Sequence, residues 1–418
     1  MNNFSLVFLA ALALSALVKL WLAQRQIRHV AANRDSVPAA FADRIPLDAH
    51  RKAADYTLAN TRLGRVETLF NAVLLVAWTL GGGLQLLDDS VRALGWESIP
   101  TGVAVIIGAF LVMALLDLPV SLYHTFVIEE RFGFNRTTVP TFVGDMLKQA
   151  LLTLLLGGPL AWAALWLMER SGGYWWFHLW LLWVSFSLLM MWAYPSFIAP
   201  LFNRFTPLED ESLRQRIQAL LGKCGFKSQG IFVMDGSRRS GHGNAYFTGL
   251  GSNKRIVFFD TLLQTLDEDE IEAVLAHELG HFKRRHVQKR IVTMMLLSLA
   301  GLALLGWLVE QPWFYQGLGV ATPSNHMALL LFMMVSPVFT LFLQPLVSWF
   351  SRKHEFEADD YAARQASAGN LVRALVKLYK ENASTLTPDP LYSAFYDSHP
   401  PAPVRVAHLS AKLQGQTT

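Results

Sequence analysis

Seven long apolar runs divide this chain, separated by polar segments of very unequal length. The runs cover approximately residues 4–22, 68–87, 103–127, 150–168, 175–197, 291–309 and 327–350. Each is near or above the roughly 20 residues that a helix needs to cross a hydrocarbon layer. One or two such runs fit the core of a soluble protein, but seven together predict a polytopic membrane protein. No basic residue precedes the first run, and Ala-Gln-Arg-Gln after Leu22 is a poor cleavage site. That run therefore reads as a retained span and not as a signal peptide.

Two polar segments are long enough to fold on their own account. In the first, about 204–290, a helical pattern leads into a short strand at Gly230-Ile231-Phe232-Val233-Met234. A Ser/Arg/Gly-rich loop follows, then Asn244-Ala245-Tyr246-Phe247-Thr248-Gly249, a turn with Asn253 and Lys254, and Arg255-Ile256-Val257-Phe258-Phe259. The last two apolar segments read as a hairpin. The second polar segment runs from 351 to the end. Both follow span ends on one side, so they can meet as a single catalytic domain. The expected division is a membrane domain of five spans (1–203), a catalytic region (204–290), spans six and seven (291–350) and a catalytic tail (351–418).

Residues 267–285 carry a third kind of pattern. Asp267 offers an N-cap, and Glu268, Asp269 and Glu270 bring negative charge to the first turn. Ile271, Val274, Leu275, Leu279 and Phe282 recur at helical spacing, and Lys283, Arg284 and Arg285 close the far end. Within this helix lies His277-Glu278-Leu279-Gly280-His281. Histidines four apart stand one above the other on a helix face and can share a metal ion, and the intervening glutamate can hold a water on that metal. Zinc in such a site needs a third protein ligand and leaves a fourth position to water. The candidate segment is His354-Glu355-Phe356-Glu357-Ala358-Asp359-Asp360, directly after the seventh run. Glu355 and Asp359 share a helix face, which suits Glu355 as ligand and Asp359 as hydrogen-bond acceptor from a ligating histidine. Glu357 points the other way and reads as solvated. The plainer alternative is a charged juxtamembrane helix with no metal role.

Composition agrees with the hydropathy: 52% of residues are hydrophobic, with 13 Trp and 27 Phe, and the mean hydropathy is +0.30. Alternate loops divide the charge sharply. All of the 36 Lys and Arg fall on one side except Arg92 and Arg170 on the other and Lys19 within a span. The positive-inside rule then predicts the N-terminus outside and the metal motif on the cytoplasmic side. The net charge of +4 follows from that topology and calls for no nucleic acid partner. Cys224 is the single cysteine, so there is no disulfide framework or thiolate cluster, and a metal must be held by His and carboxylate. Asp117, inside the third run, is expensive to bury in lipid and is expected to face a chamber or a cation. His242 reads as a site-lining residue or an ordinary loop histidine, and His286 as interfacial.

Motifs spread almost end to end resemble the type 1 integral-membrane CAAX prenyl endopeptidases. They include Arg131-Phe132-Gly133-Phe134-Asn135-Arg136-Thr137-Thr138, Pro200-Leu201-Phe202-Asn203-Arg204-Phe205, Asn244-Ala245-Tyr246-Phe247, Lys254-Arg255-Ile256-Val257 and Phe259-Asp260-Thr261-Leu262. The histidine motif, Glu355-Phe356-Glu357-Ala358-Asp359 and Ser398-His399-Pro400-Pro401 complete the set. The resemblance implies an all-α polytopic membrane protein: seven transmembrane helices enclosing a water-filled chamber, with a small α+β zinc-peptidase domain at its cytoplasmic end. It implies one Zn2+ held by His277, His281 and Glu355, with Glu278 as the catalytic glutamate. It puts His399 and Arg405 along the active site, as donors to a developing oxyanion, and lays substrate along Asn244, Ala245, Tyr246 and Phe247. The expected partners are a peptide or protein substrate and membrane lipid. His354 departs from the family, which usually has an aromatic residue there. The short 310–325 loop and the brief tail after Arg405 resemble a compact bacterial member, implying an inner-membrane location. Bacteria generally lack protein prenylation, so unfolded or membrane peptides stand beside CAAX-type peptides as expected substrates. A membrane quality-control metalloprotease and a catalytically silent lipid- or peptide-binding scaffold are the competing readings.

Overall fold

The computed structural model describes residues 1–248 and 255–415; Gly249, which ends the expected third segment, and the expected turn residues Asn253 and Lys254 lie outside them. Helices α1 (Asn3–Asn33), α2 (Leu47–Trp78), α3 (Gly83–Arg92), α4 (Ser98–Tyr123), α5 (Val139–Leu152), α6 (Gly158–Arg170), α7 (Trp175–Ala193) and the short α8 (Ala199–Phe202) form the N-terminal part. Strand β1 (Phe205–Pro207), helix α9 (Glu211–Lys223), strands β2 (Gly230–Met234), β3 (Ala245–Thr248) and β4 (Arg255–Phe259), and helices α10 (Asp260–Thr265) and α11 (Glu268–Lys283) follow. Helices α12 (His286–Leu308), α13 (Pro312–Gly317), α14 (Asn325–Thr340), α15 (Gln344–Gln365), α16 (Ala368–Glu381), α17 (Pro390–Tyr396) and α18 (Ala402–Gly415) complete the chain.

Among the described residues, six helical stretches are long and apolar enough to cross a membrane, or seven if the bent pair α2 and α3 counts as one span. Their outward faces suit lipid: α1 exposes Leu6, Leu14, Leu17 and Trp21, and α7 exposes Leu181, Trp183, Leu189 and Trp192. In water such exposure would oppose folding, whereas against lipid tails it costs nothing. The expected second span, 68–87, is not one straight helix. Helix α2 ends at Trp78 and α3 begins at Gly83; Gly82 between them adopts a left-handed φ of 78°, and the chain bends by 47° across the break. An apolar run with three consecutive glycines reads as continuous by hydropathy, yet loses its helix to backbone freedom.

The helices surround a cavity of about 1310 Å³. Lys19, Glu67, Asn71 and Asp117 line it, although Lys19, Asn71 and Asp117 sit within apolar runs and Glu67 borders one. A wet interior makes such residues affordable inside a bilayer, and the expectation for Asp117 is met on the cavity side.

The polar half is built on a four-stranded sheet in the order β1-β2-β4-β3. The expected hairpin is present, with Ala245 opposite Phe258 and Phe247 opposite Ile256. The antiparallel β1–β2 pair and the parallel β2–β4 pair went unread, because pairing between distant strands leaves no local signature. Ile256 and Phe258 bury themselves with Ile217 of α9, Leu275 and Leu279 of α11 and Leu371 of α16. That core fixes α11 against the sheet on one side and α15 on the other.

Candidate metal centre

Helix α11 starts where the charge pattern places it. The Asp267 carboxylate accepts the Glu270 N–H at 3.1 Å and the Glu270 carboxylate accepts the Asp267 N–H at 3.1 Å, a reciprocal capping box. The helix then packs against α15 with very little clearance. A Cβ on Gly280 would stand 2.9 Å from Ala358 Cα and 3.0 Å from its carbonyl oxygen. Gly280 opposite Ala358 therefore lets two backbones approach closely enough for short side chains to meet at one point.

Those side chains are His277, His281 and Glu355. His277 Nε2 and His281 Nε2 are 3.2 Å apart. Glu355 Oε2 is 3.4 Å from His277 Nε2, and Oε1 is 3.2 Å from His281 Nε2. Ligand atoms around a tetrahedral zinc ion, each about 2.0–2.1 Å from it, stand roughly 3.3–3.4 Å apart, so these spacings fit zinc. Glu355 Oε2 is also buried without a hydrogen bond, the condition of an acceptor that a cation would satisfy.

Asp359 lies directly behind His277. Its Oδ1 is 2.8 Å from His277 Nδ1, and the carboxylate is fully buried. Arg405 grips it with two parallel hydrogen bonds, Nε at 2.9 Å and Nη2 at 2.5 Å. Burial by itself would lower the His277 pKa, but the Asp359 and Glu355 carboxylates outweigh it and raise the value from 6.5 to about 9 in the metal-free protein. Arg405 departs from expectation. It is buried behind the ligands, with its fork spent on Asp359 and its Nη1 3.7 Å from Glu355 Oε2. That position suits holding the carboxylates and does not suit meeting a substrate carbonyl.

The open side differs. Glu278 is half-buried, and burial raises its pKa above the ordinary carboxylate value. His399 lines the cavity with its side chain 61% exposed, and its Nε2 lies 3.5 Å from Glu355 Oε1. Protein walls on most sides partly desolvate the ring and hold its pKa below the usual histidine value. The cavity thus reaches the candidate metal-binding cluster through His399. Strand β3 is an edge strand of the described sheet, with Asn244 just ahead of it; the Asn244 carbonyl accepts the Phe259 N–H at 3.0 Å. Tyr246 and Phe247 alternate along it, Phe247 packing on Phe226.

Several partners went unseen in the sequence. His286, the first residue of α12, is buried beneath His281, and Glu357, expected to be solvated, lies 3.1 Å from His286 Nε2. His242 stacks on Phe134 with ring centroids 4.2 Å apart. Its Nε2 is 3.4 Å from Glu129, which also accepts a hydrogen bond from Tyr56. The loop entering β3 is therefore moored to membrane helices. Single-helix periodicity carries no trace of such contacts between elements.

Two family models match the chain: "CAAX prenyl protease N-terminal, five membrane helices" over residues 26–204 and "Peptidase family M48" over residues 207–413. The chain belongs to peptidase family M48. Among M48 relatives, a CAAX prenyl protease 1 homolog of Arabidopsis thaliana is 43% identical, over 69% of this chain and 68% of its own length. The Homo sapiens CAAX prenyl protease 1 homolog is 31% identical over 98% and 96%. The crystal structure of S. mikatae Ste24p superposes with a TM-score of 0.92 at 30% identity, covering 98% of this chain and 99% of that one. This M48 protein is a multi-pass membrane metallopeptidase, and the resemblance read from its motifs holds over its whole length.

Proposed function

We propose that this M48 protein is a zinc-dependent endopeptidase that cleaves extended peptides, CAAX-type C-termini included, at a site on the cytoplasmic face of the membrane. The observation that carries the reading is the meeting of His277, His281 and Glu355 at ligand spacing, with an unsatisfied buried carboxylate oxygen, where the cavity reaches His399. Relatives named CAAX prenyl protease 1 support the substrate class. The basic loops support an N-terminus outside and a cytoplasmic site. The proposed division keeps residues 1–203 and 291–350 for the membrane and cavity, and 204–290 with 351–418 for catalysis.

When bound, zinc supplies Lewis acidity that makes water acidic and polarises a peptide carbonyl. Glu278 takes the proton from the attacking water and returns it to the amide nitrogen as the C–N bond breaks. His399 donates its Nε2 hydrogen to the carbonyl oxygen as negative charge develops there. Arg405 acts indirectly, holding Asp359 so that His277 presents Nε2. The outer edge of β3, with Asn244, Ala245, Tyr246 and Phe247, pairs with the substrate backbone, so only an extended segment is bound.

The test is digestion of a peptide library and of matched prenylated and unprenylated CAAX peptides by purified protein in detergent. Cleavage should disappear with a chelator, return with zinc and be absent from Glu278→Ala. A zinc-loaded wild-type protein that cuts no peptide would refute the reading. Cleavage confined to internal sites of unfolded chains would move the substrate class to damaged membrane proteins.

A further inference from the structure

The two ligand histidines are supported in different ways. His277 meets a carboxylate directly, its Nδ1 lying 2.8 Å from Asp359. His281 Nδ1 instead lies 3.0 Å from His286 Nδ1, and His286 Nε2 lies 3.1 Å from Glu357 Oε2. The His286 ring is 1% exposed and stacks on His354 with centroids 4.0 Å apart and planes 14° from parallel.

The local backbone is bent to make this contact. Helix α11 ends at Lys283, Arg285 takes a left-handed φ of 58°, and α12 starts at His286. A non-glycine residue in that region carries a conformational cost, so the turn persists because surrounding contacts favour it. It folds His286 back beneath His281. On α15, His354 and Glu357 are one turn apart and share a face, so one stacks on the ring while the other meets its Nε2.

Hydrogen-bond direction then follows from the inventory of donors. An ionised carboxylate only accepts, so His286 Nε2 must donate to Glu357. A neutral imidazole has a single N–H, which leaves His286 Nδ1 as an acceptor. The facing His281 Nδ1 must therefore donate, and its remaining lone pair sits on Nε2, the atom 3.2 Å from both His277 Nε2 and Glu355 Oε1.

We propose that His286 and Glu357 form a positioning relay that fixes the tautomer and ring orientation of His281 and so sets the zinc affinity of the site. The inference rests on the zinc reading above and deepens it. Each ligand histidine ends on an outer carboxylate: His277 on Asp359 directly, His281 on Glu357 through one intervening ring. Outer partners of ligand histidines typically contribute 10–100-fold in metal affinity.

The experiment measures the zinc dissociation constant of full-length protein in detergent by competition with a chromogenic chelator. His286→Phe keeps a ring of similar size but offers no acceptor, and should raise Kd roughly 10–100-fold. His286→Asn retains an acceptor near the position of Nδ1 and should recover most of that loss. Glu357→Ala should still bind one zinc per chain at saturation, with Kd raised about tenfold. Wild-type affinity in His286→Phe, or equal weakening in the Phe and Asn variants, would overturn the relay. Should His286→Phe fail to fold, Glu357→Ala decides, since Glu357 is 33% exposed and its loss leaves no buried hole; an unchanged Kd there overturns the proposal. Glu355→Ala separates the two levels. If that variant keeps wild-type affinity, the ligand assignment fails, whereas if it loses zinc while His286→Phe does not, the relay alone fails.

Discussion

The candidate metal centre has a dry side and a wet side, and they are built on opposite principles. On the dry side His277, Glu355, Asp359 and Arg405 are buried, interlocked and within hydrogen-bond or ion-pair distance of one another. On the wet side Glu278 is half-buried with no hydrogen bond or ion pair to another described side chain, and His399 opens to the cavity. Groups that must hold a cation in one geometry gain from rigidity. Groups that must receive and release protons need free lone pairs and room for a substrate. The contrast divides substitutions into those that should empty the site and those that should silence it while it stays full.

Glu278→Gln tests the wet side most severely. The amide keeps the shape but cannot take a proton from water, so kcat should fall about 10²–10⁴-fold with zinc still near one per chain. Turnover and metal content measured on the same sample check this. Substantial turnover in a zinc-loaded variant would remove Glu278 from the proton path.

Asp359→Ala attacks the dry side. It strands the buried Arg405 guanidinium, and breaking a buried pair costs about 3–5 kcal/mol. It also frees His277 from its tautomer. Thermal unfolding of the metal-free protein should show the stability loss, and zinc affinity should fall roughly 10–100-fold. A variant with lower activity but unchanged stability and Kd would mean that Asp359 belongs functionally with the wet side.

Gly280→Ala probes the contact that brings the dry side together. The added methyl meets Ala358 backbone within 3.0 Å, so the helices must part, at a cost of about 1–3 kcal/mol. The metal readout should be affected more than the fold, because Glu355 would retreat from both histidines. Ala358→Gly should not restore zinc affinity in the double variant, because the methyl meets the Ala358 Cα and carbonyl oxygen, which glycine keeps.

The division between dry and wet sides also separates what the sequence made legible from what it did not. His277, Glu278 and His281 announce themselves because a helix repeats every 3.6 residues, and Glu355 and Asp359 do so by the same spacing. The spans were legible because lipid demands long apolar runs. The parallel β2–β4 pairing, the burial of Arg405 and the contact of His286 with His281 all depend on how separate elements dock. None of these leaves a period in the chain. Glu357 is the clearest instance: by helix phase it turns away from Glu355, yet it is partnered, because α12 returns to cover that face.

A pH dependence of zinc affinity also arises on the dry side alone. Without metal, His277 sits between Asp359 and Glu355, which raise its pKa from 6.5 to about 9. Because the folded value is raised, the protonated ring helps the metal-free fold fully below pH 6.5, and that help is lost as pH rises through about 9. Zinc binding has the opposite dependence, since the metal needs the lone pair that the proton occupies. Between these limits each zinc bound should release about one proton from His277, and Kd should tighten about tenfold per pH unit, levelling off near pH 9. Calorimetry in buffers of different ionisation enthalpy counts the proton directly. Zinc binding that releases no proton at pH 7.5 would mean that His277 is already neutral in the empty site, and that Asp359 is satisfied by Arg405 alone.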